Sequence, residues 1–102
     1  MGIELVWEGE SGNELARLSD PQSLLKEFLP SEPALEFACL RFVDPYGDAI
    51  FNTLQIPVLL RELNSLSSQP LELRVAEHLT KAISLVANAQ GYIHTYIRFV
   101  GD

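Results

Sequence analysis

Between residues 71 and 100 the hydrophobic period of the chain changes once, and that change limits the fold more than any other feature. Val75, Leu79, Ala82, Val86 and Ala89 recur at spacings of four and three, widened by Ala76 and Ile83. This is one face of an α-helix over about 71–90. Arg74, Glu77, His78, Lys81, Ser84 and Asn88 fall mostly on its polar side. Gly91 closes the helix, since glycine takes the left-handed position after a last turn at little cost. Beyond it Ile93, Thr95, Ile97 and Phe99 alternate with Tyr92, His94, Tyr96 and Arg98. Period two is a strand with two unlike faces. A helix that feeds directly into such a strand needs a sheet to lie on.

The rest of the chain supplies that sheet and further cover. Ile3, Leu5 and Trp7 alternate with Glu4, Val6 and Glu8, which predicts a first strand. Gly9 to Asn13 is a loop by composition, and Glu14 to Leu18 reads as a short second strand, although those residues also suit a helical turn. Asp20-Pro21 opens a helix over about 21–29, Asp as cap and Pro at the first position, with Pro30 and Pro33 as its stop. Leu35 to Val43 is an apolar run that predicts a strand. The Asp44-Pro45-Tyr46-Gly47 turn would join it in a hairpin to a strand over 48–53, with Gly47 at positive φ. Ile56, Leu59, Leu60, Leu63 and Leu66, with Pro57 in the first turn, predict a helix over about 57–67.

Three helices cannot cover both faces of so many strands. The expected class is α+β: a single mostly antiparallel sheet of four or five strands, with all three helices packed on one face. One domain spanning 1–102 is expected. A chain of 11.4 kDa folds to roughly 5,800 Å² of surface and buries about 65% of what it exposes when open, so a core can form without staples. The single Cys39 excludes an internal disulfide framework and fits a reducing compartment. With no signal-peptide pattern at Met1 to Glu10 and no apolar run of spanning length, a cytoplasmic location is expected, with no membrane partner.

Charge narrows the partners. The net charge is −7, and residues 1–50, with ten acids against three bases, carry all of it. Nucleic acid is an unfavoured partner, because affinity for phosphate rests on Lys and Arg. An acidic surface attracts basic partners, and it also simply keeps a small protein soluble.

Enzyme motifs are absent: no G-x-S-x-G, Gly-rich phosphate loop, H-E-x-x-H or C-x-x-C occurs. Cys39 lies in an apolar run where burial would make it inert, and His78 and His94 have no spacing that converges on a metal. No cofactor or metal site is expected. Asp44, Tyr46 and Asp48 gather carboxylates and a phenol at a loop tip, though a turn prefers most of these residue types for its own sake.

Tyr92, His94, Tyr96 and Arg98 form the most distinctive set, one row on the face no helix covers. Tyr and Arg are enriched at binding hot spots. The expected function is therefore a small non-enzymatic interaction module working through an open sheet face. Its partner would be a basic protein, as in an immunity or antitoxin role, or a second copy in a homodimer. The bland alternative is a solvated face with Arg98 paired to Glu4 or Glu8. The rival function is a small enzyme or ligand-binding domain, with His94 as acid or base and Tyr96, Arg98 and Asp48 orienting the substrate.

Overall fold

A computed structural model describes residues 2–29 and 36–101. The elements in chain order are β1 (Glu4–Glu8), β2 (Glu14–Leu18), α1 (Leu25–Phe28), a 3₁₀ turn (Leu40–Phe42), β3 (Asp48–Phe51), α2 (Ile56–Leu66), α3 (Leu73–Ala89) and β4 (Tyr96–Val100). The four strands form one open antiparallel sheet in the order β2-β1-β4-β3, so the class is α+β. The first and last strands are its central pair, with Leu5 opposite Phe99 and Trp7 opposite Ile97.

The alternation read from the sequence sets which side is dry. Ile3, Leu5, Ile97 and Phe99 are all 2% exposed or less and meet α2 and α3 in one apolar cluster with Phe51, Leu59, Leu63, Leu79 and Val86. The long helix α3 lies across β1, β2 and β4 and also touches α1 and α2. Burial of this kind contributes about 1.5–3 kcal/mol for each large apolar side chain, the main favourable term in a fold of this size. Gly91 sits at φ +95° after α3, in the left-handed role expected of it.

Three local expectations are corrected. The first concerns the helix over 21–29, which is only one turn long, at Leu25–Phe28. Asp20 does cap it, but from further back. Its carboxylate accepts N–H bonds from Leu24 (2.7 Å), Leu25 (3.1 Å) and Ile3 (3.2 Å), and Pro21 and Gln22 form a turn instead. Ser23 takes a positive φ of 55° at the join, which a regular helix from Pro21 does not permit. The predicted stop at Pro30 and Pro33 lies outside the described residues.

The second concerns the hairpin. Leu35, the start of its apolar run, is also outside the described residues, but residues 36–43 form turns and the 3₁₀ segment rather than a strand. Glu62 of α2 is the reason. Its buried carboxylate accepts the N–H groups of Ala38, Cys39 and Leu40, which leaves that backbone no ladder to join. The Asp44–Gly47 turn does form, through Gly47 N–H to the Asp44 carbonyl (3.3 Å) and Tyr46 N–H to the Asp44 side chain (2.9 Å). It leads into β3, which pairs with β4 alone among the described strands. Gly47 does not need positive φ; Gly101 donates to its carbonyl at 2.8 Å, and a Cβ on Gly101 would collide with that oxygen.

The third concerns β4, which starts at Tyr96 and not at Tyr92. His94 adopts φ +59°, so the backbone reverses before the strand begins and the period-two row is broken at that residue. Ile93, expected in the core, is 72% exposed.

Candidate functional site

The open face of the sheet is built by register. Opposite pairs Glu4–Val100, Val6–Arg98, Glu8–Tyr96, Val6–Arg17 and Arg98–Ile50 put these side chains on the side away from the helices. Val6 is 1% exposed even here, because it sits between Arg17 and Arg98, whose aliphatic stems can shield it.

The four-residue row from the sequence is divided by this geometry. Tyr96 and Arg98 share the open face. Tyr92 goes to the other side, where its ring meets Trp7 edge-on at 5.3 Å between centroids, and Trp7 faces the helices. His94 lies at the end of the sheet, exposed, beside Tyr96. Of the loop set, Asp44 is committed to the turn, Tyr46 is 83% exposed, and Asp48 belongs to β3 on the open face.

Arg98 is held by two carboxylates: Asp48 takes its Nε (3.2 Å) and Nη2 (3.0 Å), and Glu8 takes its Nη1 (3.1 Å). The pairing expected with Glu4 or Glu8 is thus made with Glu8, and Asp48 adds a second partner. The bonds to Asp48, then those to Glu8, raise the guanidinium further above its already high ordinary value, so it stays charged. Arg17 repeats the arrangement between Glu4 and Glu14. Exposed pairs such as these add little stability, but they fix the side chains in place.

Around Tyr96 two shallow grooves meet. One, of about 300 Å³, is lined by Asn52, Thr53, Leu54, Ile93, His94 and Tyr96. The other runs between the β1–β2 loop and β3, lined by Glu8, Gly9, Glu10, Gly12, Ile50 and Tyr96. Ile50 is 57% exposed, Leu54 84% and Ile93 72%. A monomer can carry such residues singly; here three of them line the two grooves that share the Tyr96 ring. Sequence reasoning found Tyr96 and missed Ile50 and Leu54. Ile50 alternates with the buried Phe51 in β3, so the period of that strand held the signal.

Two buried polar residues were also missed. Glu62 is 7% exposed with its carboxylate spent on three N–H groups. His78, expected on a solvated helix face, is likewise 7% exposed. It packs by the Phe28 ring, with its Nε2 3.7 Å from Asp20 and without a hydrogen-bond partner. Burial lowers the His78 pKa below the ordinary imidazole value, against an opposing pull from Asp20. Cys39 is buried, and its thiol pKa is pushed up by that burial and by the Glu62 carboxylate, the reverse of what a nucleophile needs.

Among the described residues no three His, Cys, Asp or Glu side chains gather as a metal site would require, and no helix is long and apolar enough to cross a membrane. No family model matches the chain, and no curated protein or solved structure matches it either.

Proposed function

We propose that this chain is a non-enzymatic protein-interaction module that binds through the β3–β4 end of its open sheet face. The observation that carries this reading is the set of exposed apolar side chains, Ile50, Leu54 and Ile93, around the half-buried Tyr96. Water is a poor solvent for that surface, and covering it yields about 25 cal/mol for each Å² of apolar area removed. Tyr96 suits such a contact, with a ring for packing and a hydroxyl for a hydrogen bond. An immunity or antitoxin role in the cytoplasm is one form of the reading.

The rival reading, catalysis by His94 with Tyr96 and Arg98, has less in its favour. His94 and Tyr96 do share a groove, but it is shallow, and Arg98 is already engaged by Glu8 and Asp48. A photo-cross-linking side chain at position 93 in the host cell tests the proposal. A defined adduct is expected from position 93, none from a control at exposed Ser68, and loss of the adduct on Tyr96→Glu with the circular dichroism unchanged. No adduct from position 93, or one indifferent to Tyr96→Glu, overturns it.

A further inference from the structure

Resting on that reading, we infer that the partner is a cationic amphipathic segment of another protein, with apolar side chains on Ile50, Leu54 and Ile93 and Lys or Arg groups against Glu8 and Glu10. The charges on the open face decide between this occupant and a second copy of the chain. Five carboxylates (Glu4, Glu8, Glu10, Glu14 and Asp48) stand with two guanidinium groups, Arg17 and Arg98. Each arginine lies between two of those carboxylates, so each cluster keeps a surplus negative charge. Glu10 makes no ion pair among the described residues and lines the same groove as Ile50 and Tyr96. A carboxylate already holding one donor has lone pairs left for another.

A second copy would bring the same surplus to the same place, on a chain whose net charge is −7. Like charges juxtaposed across an interface oppose it, whereas a cationic segment gains from the field on approach and on contact. The Tyr96 ring sits between the acidic groove and the apolar one. Its face can take a cation directly, or the methylene stem of a lysine reaching toward Glu10. One segment with both chemistries satisfies both grooves.

The test is an amide NMR titration of the whole chain with a short amphipathic Leu/Lys peptide and with its Leu/Glu counterpart. The Leu/Lys peptide is expected to shift the amides of Glu10, Ile50 and Tyr96. Its affinity should fall about tenfold from low salt to roughly 1 M salt, as charge is screened. Glu10→Lys should weaken it severalfold while the spectrum elsewhere stays native. Four results overturn the inference: equal binding of the Leu/Glu peptide, no shift with the Leu/Lys peptide, affinity that ignores salt, or shifts that spread evenly to acidic residues elsewhere such as Glu77. Concentration-dependent shifts of the same amides with a doubled mass by light scattering also overturn it, yet leave the interaction face standing with a second copy as its occupant. Failure of the position 93 cross-link, by contrast, removes the face itself.

Discussion

Glu62 shows how much one side chain can decide. It lies on the buried face of α2 with Leu59 and Leu63, and its carboxylate collects three N–H groups from a segment more than twenty residues away. Replacing it with Gln removes an acceptor from a site that demands acceptors, and a buried N–H left without one costs about 1–3 kcal/mol. Glu62→Gln is expected to lower stability by about that amount in urea unfolding, with unchanged helix content. His78 makes a prediction of the opposite kind, through a proton. Burial holds its pKa below the ordinary value of about 6.5. As pH falls through that value, the unfolded chain takes up a proton that the folded chain still refuses. Stability is full above about pH 6.5 and drops below it, by at most about 1.4 kcal/mol for each pH unit, until the folded imidazole protonates too. His78→Gln should be flat over the same window in a pH series of urea midpoints. Both residues were legible in part. Glu62 follows Leu59 by three and His78 follows Val75 by three, so each interrupts an apolar stripe. What the sequence hid was the partner, since neither Ala38–Leu40 nor Asp20 is near in the chain.

At the scale of elements, periodicity was a good guide wherever packing alone set the conformation. α2 and α3 lie within two residues of their expected limits, because their stripes are long and their ends are marked by Pro57 and Gly91. The run through Ala38 to Val43 is as apolar as a strand but answers to Glu62, a contact that no local pattern contains. The connection before β4 follows a similar rule. Its turn is made at His94, a residue type that tolerates positive φ better than most, and the alternation of Tyr92 to Arg98 conceals it. A β-branched residue there would be strained. His94→Val is expected to cost about 1–2 kcal/mol in thermal or urea unfolding, while His94→Gly is expected to cost little, since glycine takes that conformation freely. Equal losses from both would mean that the imidazole itself, and not the backbone turn, matters at this position.

For the whole molecule, the class was legible and the pairing was not. The one-sided helix cover and the dry faces of β1 and β4 follow from hydrophobic alternation. The order β2-β1-β4-β3 does not, because alternation says which side of a strand is dry but not which neighbour it takes. One apolar cluster runs from Ile3 to Phe99 through every helix, so heat should unfold the chain in a single transition, with calorimetric and van't Hoff enthalpies equal. Two separate transitions would contradict that. The central pairing of β1 with β4 has a consequence during synthesis. The contacts in the middle of the sheet join residues about ninety positions apart, so a nascent chain can form the β1–β2 hairpin, α2 and α3 on the ribosome but leaves the other edge of β1 open until β4 emerges. Losing that strand would not trim an edge: it would part β1 from β3, leaving the β1–β2 hairpin on one side and a β3 with no ladder partner on the other.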